Sequence, residues 1–438
     1  MRPGSKKKRT SDVFGVSNKV LTDSYVDRGE LDEAVSRLAE RRTHIALRGE
    51  SKCGKSWLRQ TVLPDAIVVQ CRLGKTCTDI YRDALSALDI RLEVEKLSGS
   101  RFTGTVEAQG DVGLKILARL GVRTAAESSR DSSRRTVPAG RDIGDLRFIA
   151  DILNESGRRL VIEDFHYLSH NERRTLAFDL KAFWDYGVFA TIVGVWSEQN
   201  ILLYLNPDLT GRVEEVPIVW NDRDLREIFR RGGQALNVEF SDALQTRAIE
   251  DCYENAGILQ TLILSTLDGV NVHETCDETV DIDDIGALET AAMGYADQLN
   301  PLYQQFAKRV SRGIRTRRDA TGIYAHALAV IVEAPDDALL GGLSLDWIFE
   351  QAHNREPRIT KGNLHTVLCR IEGLQADEDG RGLVLAYNEA HREISVVDRQ
   401  LLVYRKYSTV TWPWEELIRE AAERPSPDAQ SGDNRSAE

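Results

Sequence analysis

The residues best suited to chemistry lie in the octapeptide GESKCGKS, residues 49–56. Gly49, four residues and then Gly54-Lys55-Ser56 match the spacing G-x-x-x-x-G-K-[ST]. Such a loop wraps backbone N–H groups around phosphate oxygens, and its tight points require glycine. Gly49, Glu50, Ser51, Lys52, Cys53, Gly54, Lys55, Ser56 and Trp57 are therefore the candidate phosphate- and nucleotide-binding residues. Lys55 would bring a point charge to the β- and γ-phosphates, and the Ser56 hydroxyl would bind Mg²⁺. The flanks agree with this. THIALR (43–48) reads as a buried strand, and KSWLRQTVL (55–63) as a helix whose N-terminus faces the anion.

Hydrolysis needs a second strand end carrying carboxylates, to position Mg²⁺ and an attacking water. RRLVIEDFHYL (158–168) supplies one, with Leu160, Val161 and Ile162 running into Glu163 and Asp164. An apolar run ending in acids suits a central parallel strand whose carboxyl end opens into a ligand crevice.

These two motifs need a scaffold. RGELDEAVSRLAE (28–40) reads as a helix feeding the loop strand, and AIVVQC (66–71) as a second strand followed by the helix CTDIYRDALSAL (77–88). GDLRFIADILNES (144–156) and a segment near 171–185 read as further helices. FATIVGVW (189–196) and RVEEVPIVW (212–220) complete five strands. Strand, crossover and strand recur, so the fold class is α/β, with a parallel sheet between helices. Residues 1–16 read as a disordered basic tail, 17–220 as the core, and about 92–140 as an insertion containing a hairpin. Residues 221–272 read as a helical lid and 273–319 as an acidic linker and basic helix. Between 320 and 410, three helices and a hairpin (383–387 and 393–397) suggest a winged helix, with Ser344 and Thr360 as helix caps. Residues 411–438 read as a C-terminal segment and disordered tail, TWPWEEL (411–417) being a packed anchor.

Composition narrows the classes. No apolar run approaches the roughly 18 residues that span a bilayer, and MRPGSKKKRT contains no apolar signal core. The six cysteines form no C-x-x-C pair, so a cytoplasmic protein without a disulfide framework is expected. A net charge of −12 argues against a whole-surface nucleic-acid binder. His166 and His170 follow the acids without metal-ligand spacing, and Cys53 fills a tolerant loop position.

On GESKCGKS, the Glu163-Asp164 strand and the arrangement of core, lid and winged helix, the chain resembles P-loop ATPases of the AAA+ and STAND groupings. Origin-recognition and transposition-helper ATPases are organised similarly, and the resemblance spans roughly 25–410. It implies ATP and Mg²⁺ as cofactors, with Ser56 and Glu163 holding the metal and Asp164 orienting or deprotonating water. Many relatives carry Asp then Glu at these two places, so the order Glu163-Asp164 leaves the division of labour open. Ser197 stands where such proteins sense the γ-phosphate, or is a turn former. Arg212 stands where an arginine reaches a neighbouring subunit's nucleotide, which implies a homo-oligomer, or is a surface arginine. NAGILQTLILSTL (255–267) lacks the lid arginine of AAA+ proteins, which favours a switch over a processive motor. The resemblance thus implies an ATP-binding, slowly hydrolysing switch in DNA transactions or defence against invading DNA. The alternative is a nucleotide-stabilised DNA-binding or adaptor module with negligible turnover. Double-stranded DNA would be met through 361–392 and the basic run 308–318, with Lys361, Asn363, Thr366, Arg370, Arg381 and Arg392 facing outward.

Overall fold

The computed structural model describes residues 7–96, 102–108, 110–120, 133–136, 143–196, 199–313, 322–375 and 383–422. They form two units. The first comprises Met1–Glu239, Glu254–Gln260 and Glu274–Val280; the second comprises Phe240–Tyr253, Thr261–His273 and Asp281–Glu438.

In the first unit the five expected strands are present: His44–Arg48, Ile67–Gln70, Leu160–Glu163, Ala190–Gly194 and Val213–Pro217. They pair in the order 67–70, 160–163, 190–194, 44–48, 213–217, and every pairing is parallel. The strand 190–194 thus separates the loop strand from the acid strand, and all carboxyl ends meet at one edge. Short Val/Ile/Leu runs suit this position because parallel strands are buried on both faces. Ile45, Leu47, Ile162 and Ile192 are fully enclosed. The helices Lys55–Val62, Cys77–Ser86, Leu146–Ser156 and His170–Asp185 supply Leu58, Ile80, Ile149 and Phe183 to the same unit's core.

One polar side chain lies inside the loop strand. His44 donates from Nε2 to the Leu180 carbonyl at 2.9 Å and accepts the Ala190 amide on Nδ1 at 2.9 Å. Both ring nitrogens are used by the neutral form, and burial lowers the pKa to about 4.

The N-terminal stretch departs from its expected disorder. From residue 7 onward it is ordered, with a 3-10 turn at Thr10–Asp12 and with Val13 and Phe14 fully buried. The Phe14 ring fills the space beside Gly232. Lys7 pairs with Glu274 and Asp277 at 3.2 Å each, so the basic run and part of the acidic run satisfy each other. In the insertion, Ile90–Lys96, Phe102–Ala108 and Ser133–Thr136 form an antiparallel sheet. Beyond the expected hairpin, the insertion also contains a helix, Gly110–Arg119.

The second unit is mainly helical. Asp242–Cys252, Ile285–Arg312, Ile323–Glu333, Leu345–Arg355 and Lys361–Gln375 are followed by Gln400–Tyr407 and Pro413–Ala422. Leu385–Asn388 and Glu393–Val396 form the expected hairpin, and Leu343–Ser344 adds a third strand. Ser344 and Thr360 cap as expected, accepting the amides of Trp347 at 3.2 Å and Asn363 at 3.3 Å. Trp412 and Trp414 stack at 4.3 Å, with Trp414 buried. Fully enclosed Asp251 accepts from Lys406, from Tyr407 at 2.6 Å and from Arg247 at 3.2 Å. Among the described residues, no helix is long and apolar enough to cross a membrane.

Candidate nucleotide site

The loop 49–54 leaves the carboxyl end of its strand and opens directly into the helix Lys55–Val62. Gly54 has φ +92°, which a side chain rarely tolerates. At Gly49 a Cβ would meet the Cys53 sulfur at 2.5 Å. No side chain caps the helix N-terminus, and its first amides are the donors an anion requires. Buried Lys55 crosses back over the loop, donating to the Gly49 carbonyl at 3.0 Å and to that of Glu50. Ser56 is exposed at the start of the helix.

Side chains remote from the loop in sequence hold it in place. Arg28, 5% exposed, donates to the Cys53 carbonyl at 2.9 Å and lies on the Trp220 ring at 4.4 Å. Trp220 donates its indole N–H to that same carbonyl at 2.9 Å. Asn255 donates to the Ser51 carbonyl at 2.9 Å while capping the helix Ala256–Gly269 through its Oδ1. Gly257 lies so close to Lys52 that a Cβ would meet its backbone oxygen at 2.6 Å. The tripeptide Asn255-Ala256-Gly257 therefore touches the loop by cap and glycine. Trp57 donates to the Ser17 carbonyl at 2.9 Å.

Glu163 ends its strand in register with Gln70. Its carboxylate, 9% exposed, receives Nε of Arg59 at 2.9 Å. Asp164 follows with φ 57°, and its Oδ2 accepts from Gln70 at 2.8 Å. His166 accepts the Val195 amide on Nδ1 at 3.3 Å, tying the acid turn to the end of the adjacent strand. Burial lowers its pKa to about 4, so it stays neutral. Ser197 lies outside the described residues. Arg212 precedes Val213, which pairs with His44 at the start of the loop strand. It therefore sits at the end of the sheet opposite the loop of its own chain. Its guanidinium lies 4.8 Å from the Trp184 ring and donates to the Asp208 carbonyl.

A hydroxyl and two carboxylates are hard oxygen donors of the kind Mg²⁺ takes. The close backbone approach at Gly49 and Gly54 suits phosphate. The residues present therefore fit both groups.

No family model and no curated protein matches the sequence. Solved structures do. The Walker-type ATPase paby2304 of Pyrococcus abyssi is similar over 87% of this chain and 96% of its own, at 14% identity and TM-score 0.53. The Aeropyrum pernix Orc1 protein, solved in complex with DNA, aligns over 89% of this chain and 92% of its own, at 12% identity and TM-score 0.34. At these identities the likeness speaks for the fold, and the first comparison carries it. Together with the parallel five-stranded sheet and the loop at its carboxyl edge, it shows that the chain has the fold of a P-loop ATPase.

Proposed function

We propose that this chain is a nucleotide-controlled switch that binds ATP with Mg²⁺ and hydrolyses it slowly. The observation that carries the reading is the glycine loop with Lys55 inside it, at the same edge of a parallel sheet as Glu163 and Asp164. Loop amides and Lys55 would hold the phosphates. Ser56 and Glu163 would hold Mg²⁺, which when bound neutralises phosphate charge. Asp164, free of cationic partners in the hydrogen bonds above, would orient the attacking water. Residues 221–272 would act as the lid and 320–410 as a winged helix, in a cytoplasmic protein. Arg212 could reach a nucleotide only from a second copy, so its proposed role requires a homo-oligomer.

The test is calorimetric titration of ATP into the wild type and Lys55→Ala. Binding lost in the variant, with thermal stability kept within about 1 kcal/mol, is the expected result. Equal affinity in both would remove the phosphate role.

One observation favours a second reading, in which turnover is negligible and nucleotide only stabilises a DNA-binding or adaptor module. Glu163 already has a guanidinium partner. On the proposed DNA face, Asn363, Thr366, Arg370 and Arg392 are exposed, and Lys361 is exposed but paired with Asp346. Lys308 and Arg312 are exposed at the end of their helix, whereas 314–318 and Arg381 lie outside the described residues. Turnover measured with and without duplex DNA separates the readings.

A further inference from the structure

The acid strand and the loop helix are joined by one ion pair that a phosphate cradle alone does not require. Arg59 lies four residues beyond Lys55 and three beyond Ser56, so all three share one face of the helix. Its Nε reaches Glu163 at 2.9 Å, with the two side chains only 13% and 9% exposed. In such partly desolvated surroundings a charged pair is screened far less than on the surface. The charges at this corner already balance: Lys55 and Arg59 are positive, Glu163 and Asp164 negative. A divalent cation entering alone would add two positive charges and take Glu163 from its partner. When nucleotide phosphates are present, the added charge is neutralised.

We propose that Arg59 is a positioning residue that guards the metal site, keeping Glu163 from Mg²⁺ until a nucleotide occupies the loop. Metal uptake is an exchange: the guanidinium–carboxylate pair opens and a metal–carboxylate bond replaces it. This rests on the ATP-binding reading for its purpose, but its test needs no nucleotide.

Mn²⁺ serves as the probe, its binding to nucleotide-free protein read by electron paramagnetic resonance. The wild type should bind it weakly. Arg59→Met should bind about tenfold more tightly or better, because Glu163 is then released, and Arg59→Met/Glu163→Gln should return to the weak level. Arg59→Lys keeps the charge and the buried stem but loses the Nε donor. It should tighten Mn²⁺ about threefold, and it supplies the comparison if the methionine variant does not hold its fold. Equal Mn²⁺ affinity in the wild type and the Arg59 variants would overturn the inference, as would tight binding that persists in the double variant. A separate titration with a fluorescent ATP analogue keeps the two ideas apart. A wild type that binds no nucleotide sinks the ATP reading, while the Mn²⁺ series still decides the role of Arg59.

Discussion

In the loop of the first unit, side chains satisfy backbone carbonyls. Gly49 and Glu50 are served by Lys55, Ser51 by Asn255, and Cys53 by Arg28 and Trp220. In the second unit, side chains satisfy carboxylates. Asp251 takes Lys406, Tyr407 and Arg247, while Asp336 takes Arg405 and Tyr253. The difference separates two uses of charge. Engaging the loop carbonyls fixes the loop backbone, and Lys55 spends its donors on groups a phosphate can replace. Asp251 and Asp336 of the second unit instead spend their charge on side-chain contacts that hold its elements together.

The comparison predicts its largest effect at Asp251. Asp251→Ala leaves Lys406 and Arg247 without their buried partner, which should cost about 3 kcal/mol in urea denaturation while ATP affinity stays unchanged. A cost below about 1 kcal/mol would mean the network is no more than a solvated cluster.

Acid should sharpen the contrast. His44 titrates near 4 when folded, against an ordinary value of 6.5, because burial disfavours its charged form. Between those values the unfolded chain takes up a proton that the folded strand refuses. Stability is therefore complete above pH 6.5 and falls as pH drops towards 4, by on the order of 3 kcal/mol for one such histidine. His166 adds in the same direction. Hydrogen exchange from pH 7 to 4.5 should show the loop strand losing protection as pH falls, and pH-independent protection there would contradict the neutral His44.

The two acids come next. Asp164→Asn should slow turnover about a hundredfold with Mg·ATP still bound, since an amide accepts a hydrogen bond but is a poor base. Glu163→Gln should instead weaken Mg²⁺-dependent binding about tenfold. Swapped phenotypes would exchange the roles and keep the site. The smallest effect concerns Arg212. Turnover per molecule should rise a few-fold with protein concentration, and Arg212→Ala should flatten that rise. Concentration-independent turnover would leave Arg212 as a packing partner of Trp184.

Four of the five strands are legible as short apolar runs, VEEVP at the sheet edge being the exception, and two glycines with a lysine mark the loop. The clasp was not legible. Arg28, Trp220 and Asn255 reach the loop from positions far apart in the chain, and nothing local marks a side chain whose partner is a remote carbonyl. Val13 and Phe14 are too short a pair to show periodicity beside a basic run, although both are fully buried. The helix 110–119 was obscured by Gly110 and Gly113 in its first turn, where glycine weakens helix propensity. The engagement of Glu163 by Arg59 was equally hidden. Sequence shows an acid at a strand end but not which cation faces it.

The strand order also bears on how the protein is made. The loop strand, 44–48, pairs only with 190–194 and 213–217, which leave the ribosome roughly 150 residues later. At ordinary translation speeds that interval is on the order of ten seconds. The strands 67–70 and 160–163 pair with each other and can begin the sheet first. The nascent chain thus carries the strand 44–48 unpaired through most of the synthesis of its first unit, and the cradle is the last part of the sheet to be completed.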